Sequence, residues 1–125
     1  HDESLVVMNV CDPANLYGAA IEAALQNASG EVLSFARIPS NWLVLQRGLP
    51  TLLIEENGSR LTTVLGCDDL LVQQSLKAWL AHLASFESRL MVEKWDGEKV
   101  LESRGRGILE AAGFHRSYPG MVWEK

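Results

Sequence analysis

The sequence has few of the residues that build metal or disulfide sites. Among its 125 residues are only two cysteines, Cys11 and Cys67, and three histidines that fall into no metal-binding spacing. Two isolated cysteines are typical of small core residues in a reduced cytosolic protein. We therefore expect neither a disulfide framework nor a structural metal.

Long apolar runs and targeting signals are also missing. No apolar run approaches the roughly 20 residues that a membrane helix needs. The start, His1-Asp2-Glu3, lacks the basic region of a signal peptide and an initiator methionine. These absences predict a cytoplasmic domain, and we expect the chain to be a segment of a longer protein.

The sequence motifs of nucleotide hydrolysis and of α/β-hydrolases, GxxxxGK[ST], GxGxxG and GxSxG, are absent. The net charge of −5 argues against a dedicated nucleic-acid binder, since such domains usually carry an excess of Lys and Arg. Six of the cations, however, lie between residues 89 and 116. A local basic face on an acidic domain is therefore expected.

What the sequence does contain is a succession of strand patterns. Residues 5–10 form a short apolar, β-branched run, and three further runs follow at 41–46, 49–55 and 60–65. These three are separated by Arg47-Gly48 and by a turn that contains Asn57-Gly58, a strong hairpin signal. The pattern predicts an antiparallel meander, with residues 31–38 as a further candidate strand.

Two helices and a second group of strands follow. Asp68-Asp69 can cap a helix whose apolar residues, from Val72 to Phe86, recur at helical spacing. A hairpin is predicted over 90–101, a short helix from Ser103 to Ala112, and a last strand at 121–123. The expected fold class is α+β, a single domain over residues 1–125 with an antiparallel curved sheet or small β-barrel and two packed helices.

The candidates for nucleic-acid contact lie in the second half of the chain. Arg104 and Arg106 stand at a predicted helix start, where free N–H groups and guanidinium groups would suit a phosphate, although solvated first-turn arginines are the alternative interpretation. Lys94 and Arg116 belong to the same basic segment. Trp95, in the predicted hairpin turn, is the tryptophan expected to be exposed and free to stack on a base.

Acidic residues give weaker signals of catalysis. Asp12 precedes Pro13 and is explained by turn initiation, while the adjacent Glu55 and Glu56 point to opposite faces of a strand and cannot form a dyad. A catalytic carboxylate needs a partner, and the sequence displays none.

Four segments together resemble a known family. They are "DPANLYGA" (12–19), "RIPSNWLVLQRGLPTLLIEENGSRLTTVL" (37–65), "RLMVEKWDGEKVLES" (89–103) and "ILEAAGFHRSYPGMVWE" (108–124). In order and spacing they are similar to the closing β-barrel at the carboxyl end of the large helicase-related (Lhr) proteins. Leu16 stands where that family often has proline, and Asn57, Ser59 and Arg106 also depart from its pattern.

The resemblance implies a parent chain that is an ATP-dependent 3′-to-5′ helicase of DNA repair, acting on single-stranded DNA or DNA–RNA hybrids. ATP and magnesium would belong to its upstream motor domains, with no cofactor in this domain. Expected partners are those upstream domains, nucleic acid and, through the parent chain, further copies of it.

Three roles remain open for the domain itself. The first is an accessory, non-catalytic domain that supports architecture and contacts nucleic acid. The second is part of a uracil-DNA glycosylase, in which Asp12, Glu55 or Glu124 would stabilise the developing sugar cation after base flipping. The third is a stand-alone barrel that binds a small ligand.

Overall fold

A computed structural model describes residues 4–12 and 25–125. Its main element is a six-stranded sheet in the order β1-β2-β3-β4-β6-β7. These strands are β1 (Leu5–Asn9), β2 (Trp42–Gln46), β3 (Leu49–Glu55), β4 (Arg60–Thr63), β6 (Lys94–Trp95) and β7 (Glu98–Lys99). Neighbouring strands are antiparallel except β4 and β6, which run parallel.

A smaller three-stranded sheet and the helices complete the described fold. The second sheet has the order β5-β9-β8, with β5 at Arg89–Val92, β8 at His115–Ser117 and β9 at Gly120–Glu124. Helix α1 spans Asp69–Leu83 and helix α2 spans Gly105–Ala111. Short 3-10 turns occupy Glu56–Gly58 and Val100–Glu102.

Helix α1 begins and packs as its sequence predicts. The Asp68 side chain accepts a hydrogen bond from the Leu71 backbone N–H at 2.9 Å, which satisfies one of the free donors of the first turn. The apolar stripe, which includes Val72, Leu76 and Trp79, is buried. It packs mainly on β1 and β3 and closes the larger hydrophobic core.

The opposite face of the large sheet has a core of its own. Alternation along β2 and β3 sends Leu43, Leu45 and Leu53 away from α1. Leu25, Leu33 and other residues of the segment before β2 cover them there. The sheet is therefore apolar on both faces in its centre, apart from Thr51 on β3, whose buried hydroxyl lies 2.7 Å from that of Ser75 on α1.

The predicted α+β class, with a curved sheet and packed helices, is confirmed. The sheet does not close into a barrel in the described residues, because β1 and β7 form its two edges. The parallel pairing of β4 with β6 was not predicted; it joins a strand of the meander to one that lies beyond α1.

Several local predictions are wrong. Residues 31–38 form no strand beyond an isolated bridge between Gln26 and Val32. The return strand predicted over 99–101 ends at Lys99, and β8 was missed. Helix α1 ends at Leu83, so Phe86 lies beyond it and is exposed rather than on the buried face.

Among residues 4–12 and 25–125, no helix has the length and apolar character needed to cross a membrane.

Candidate nucleic-acid interface

The outer strands of the large sheet align three cations. Arg60 on β4 is the register partner of Lys94 on β6, and Lys94 is the partner of Lys99 on β7. Directly opposite residues share a face of the sheet, and the residues that follow Arg60 and Lys94 in their strands, Leu61 and Trp95, are buried. Arg60, Lys94 and Lys99 therefore face outwards and form what we call the cation row.

The members of the cation row differ in their counterions. The Arg60 guanidinium lies 3.7 Å from a Glu55 carboxylate oxygen and 3.3 Å from one of Glu56. No ion pair or side-chain hydrogen bond among the described residues involves Lys94 or Lys99. Like charges directly opposite on paired strands destabilise a sheet. An anion bound between these two lysines would relieve that repulsion.

A groove of about 220 Å³ lies beside the lysine pair. Its walls include Lys94, Lys99 and Tyr118, and the exposed carboxylates Glu93 and Glu102 also line it. A second groove of about 180 Å³ shares Lys94 and extends to Arg60. The groove therefore combines cations, hydrogen-bond acceptors and one aromatic ring.

Asp96 fixes the turn between β6 and β7 to the neighbouring strand. Its carboxylate accepts hydrogen bonds from the Thr63 backbone N–H at 2.7 Å and from the Thr63 hydroxyl at 2.8 Å. The Asp96 backbone N–H donates to the Leu61 carbonyl at 2.9 Å. These bonds hold the hairpin, and with it Lys94 and Lys99, in register with β4.

The underside of the hairpin rests on helix α2. The indole of Trp95 lies directly over Gly105, where a Cβ atom would stand only 2.0 Å from the ring. Only glycine allows this approach, so the identity of residue 105 sets the position of β6.

The prediction that Trp95 is exposed is wrong. Its side chain is 1% exposed and belongs to the main core. Alternation along β6 places Lys94 outwards and Trp95 inwards, against Gly105. Trp95 therefore cannot offer a stacking face to a base in this structure.

The predicted arginines lie apart from the groove walls. Arg104 donates to the Asp69 carboxylate at 2.9 Å, and Arg106 lies 3.5 Å from a carboxylate oxygen of Glu110. Ser103 accepts a hydrogen bond from the Gly105 N–H at 3.1 Å, as expected of a residue that caps a helix start. Arg116 is exposed on β8, in the smaller sheet. Of the predicted contact residues, Lys94 alone lines the groove.

The three candidate acids lie on different elements. Asp12 is exposed after the end of β1, Glu55 ends β3 beside Arg60, and Glu124 ends β9 in the other sheet, 3.9 Å from Arg89. Glu55 and Glu124 thus each face a guanidinium at the surface. The rest of the "DPANLYGA" segment, residues 13–19, lies outside the described residues.

The prediction that the cysteines are core residues is wrong for Cys11, which is exposed. Cys67 is half-buried and packs against both hydrophobic clusters. Burial, and then the negative charge of Asp68, raise the pKa of the Cys67 thiol above its ordinary value. The thiol is therefore protonated at neutral pH and a poor nucleophile. In the described part of the chain, no group of three or more His, Cys, Asp or Glu residues is placed to hold a metal ion.

Sequence reasoning missed two residues of the groove as contact candidates, Lys99 and Tyr118. Lys99 had a usable signal, because a two-residue Asp96-Gly97 turn puts Lys94 and Lys99 directly opposite one another. Tyr118 had none, because it reaches the groove from the turn between β8 and β9.

Comparison with known proteins adds no assignment: no family model, curated protein or solved structure matches the chain.

Proposed function

We propose that this chain is an accessory, non-motor domain of a large helicase-related ATP-dependent helicase that acts in cytoplasmic DNA repair. In this proposal the domain supports the architecture of the parent chain and contacts single-stranded nucleic acid at Lys94 and Lys99. The four-segment resemblance supports the family context. The observation that carries the nucleic-acid contact is that Lys94 and Lys99 lie directly opposite one another and have no ion-pair partner among residues 4–12 and 25–125.

The physical argument concerns charge. A phosphate placed between Lys94 and Lys99 would replace a repulsion with two favourable interactions and release counterions from the nucleic acid. The net charge of −5 opposes the approach of a polyanion. The contact is therefore local and involves few phosphates, as suits a domain that assists a motor located elsewhere in the parent chain.

The test compares two double variants that remove equal charge. Lys94→Gln with Lys99→Gln should weaken binding to a labelled single strand of about 15 nucleotides. It should also flatten the plot of log affinity against log salt by about 0.7, the value for the single phosphate contact that the two lysines share. Arg104→Gln with Arg106→Gln is the matched control and should change the slope less, because these arginines do not line the groove and each already faces a carboxylate.

Fluorescence anisotropy at several salt concentrations measures both quantities. Absence of binding at micromolar protein, or binding that ignores salt, would refute the nucleic-acid contact. If the salt dependence of affinity falls only in the arginine variant, the phosphate contact lies at α2 and not at the lysine pair.

A uracil-containing oligonucleotide distinguishes this role from that of a glycosylase. The accessory domain should leave it intact even after alkaline treatment. Cleavage that disappears in Asp12→Asn or Glu124→Gln would replace the accessory role with catalysis.

A further inference from the structure

The groove beside the lysine pair contains an aromatic ring that the fold does not use. Tyr118 is 84% exposed, although it lines the same groove as Lys94 and Lys99. We infer that this groove is a subsite for one unpaired nucleotide, with the base stacked on Tyr118 and the phosphate bound by the lysines. The inference rests on the proposed nucleic-acid contact and specifies its ligand.

The backbone beneath Tyr118 is anchored while its ring is uncovered. Ser117 and Gly120 are register partners at the ends of β8 and β9, so the turn that holds Tyr118 is closed by strand pairing. Gly120 packs so tightly on β5 that a Cβ atom would lie 2.3 Å from the Val92 carbonyl oxygen. The backbone of the turn is therefore fixed before a ligand binds, and only the ring has to be ordered when a planar ligand stacks on it.

The size of the groove favours a single nucleotide. Its volume of about 220 Å³ lies below the range of about 300–1,000 Å³ that is typical of drug-sized ligands. Stacking on Tyr118 also requires a base whose face is open, and the faces of paired bases inside a duplex are covered by their neighbours. The site therefore selects unpaired strands or strand ends.

The two carboxylates give the subsite a base preference. Glu93 and Glu102 repel phosphate, but their oxygens accept hydrogen bonds from amino groups. Adenine, guanine and cytosine carry an exocyclic amino group, whereas thymine and uracil do not. We therefore expect cytosine-rich strands to bind more tightly than thymine-rich strands of equal length.

The test places 2-aminopurine, a fluorescent base with an amino group, within a thymine tract. Binding of the wild-type chain should quench its fluorescence as the base stacks on Tyr118. Tyr118→Ala should remove the quenching and weaken affinity by about 5-fold to more than 100-fold. Tyr118→Phe keeps the ring and should stay within about 2-fold of wild type.

A second comparison tests the carboxylates. Glu93→Ala with Glu102→Ala removes two repulsive charges together with both hydrogen-bond acceptors, so it should raise affinity for the thymine-rich strand and narrow the preference for cytosine over thymine. A preference that is absent in the wild type, or unchanged in this variant, would refute the role of the carboxylates.

The outcomes separate this inference from the function on which it rests. If the wild type binds with a salt slope set by Lys94 and Lys99, and Tyr118→Ala binds and quenches like wild type, the subsite is wrong and the phosphate contact stands. If the wild type binds no strand, both are wrong. Unfolding curves of the Tyr118 variants should match the wild type, and Tyr118→Leu replaces the alanine variant if they do not.

Discussion

Two cationic regions come from one stretch of sequence and differ in what they can bind. Arg104 and Arg106 at α2 each lie within ion-pair distance of a carboxylate, from Asp69 and Glu110 respectively. Lys94 and Lys99 on the β6–β7 hairpin have no such partner among the described residues and face one another. The arginines had the stronger sequence motif, but the lysines have the more available charge.

This difference between the arginines and the lysines shows what the density of Lys and Arg along the sequence can predict. It predicts where cations lie, but it does not predict which of them form ion pairs in the fold. Glu110 follows Arg106 by one helical turn, so that pair can be read from sequence. Asp69 stands at the start of α1, 35 positions before Arg104, and only the packing of α1 and α2 brings the two together. Exposed ion pairs are worth about 0–1 kcal/mol, so pairing reduces the pull of these arginines on a phosphate without abolishing it.

The largest expected effect comes from the residue that joins the two regions. Gly105→Ala would drive a methyl group into the Trp95 ring, because the Cβ position lies 2.0 Å from it. We expect a loss of about 3 kcal/mol in the free energy of unfolding, measured by urea denaturation. Binding at Lys94 and Lys99 should weaken with it, since β6 has to move.

Gly107→Ala is the matched control on the same helix. No atom lies within 4 Å of its Cβ position, so alanine should stabilise the chain by about 0.5–1 kcal/mol through its better helix propensity. Equal effects of the two substitutions would show that Trp95 does not rest on Gly105.

A smaller loss of stability is expected when the β6–β7 hairpin is no longer bonded to β4. Asp96→Ala removes the acceptor of the Thr63 N–H and hydroxyl and should lower the free energy of unfolding by about 2–3 kcal/mol. Asp96→Asn keeps one acceptor oxygen, and asparagine tolerates the left-handed backbone at this position, where φ is 51°. This variant should therefore lower the free energy of unfolding by only about 1 kcal/mol. Urea denaturation gives both values, and equal losses would mean that the hydrogen bonds do not hold the hairpin.

Elements set by local pattern were predicted correctly. The apolar runs of β2 and β3, the turn around Asn57-Gly58 and the cap at Asp68 each depend on neighbours a few residues away. The parallel pairing of β4 with β6 depends on residues more than 30 positions apart, and a strand of two residues has no periodicity to detect. Residues 31–38 have a strand-like composition, but only an isolated bridge pairs with them.

The candidate site follows the same division. Lys94 was a predicted contact residue, and hairpin register would have added Lys99. The position of Trp95 in a predicted turn led to the prediction that it is exposed. That prediction failed because the burial of Trp95 depends on Gly105, a glycine ten residues further along the chain. Tyr118 enters the groove only through the pairing of β5 with β9, which brings the β8–β9 turn beside the hairpin.

The smallest predicted effects are changes in stability on removal of one cation, and they have opposite signs in the two cationic regions. Lys99→Gln removes a like-charge neighbour of Lys94 and should stabilise the fold by about 0.2–1 kcal/mol, although it weakens binding. Arg104→Gln breaks an exposed ion pair with Asp69 and should destabilise the fold by no more than about 1 kcal/mol. Urea midpoints at low salt measure both changes, and added salt should shrink both because the charges are exposed. If Lys99→Gln destabilises the fold instead, Lys99 makes a favourable interaction. Repulsion between the two lysines would then no longer favour the binding of an anion.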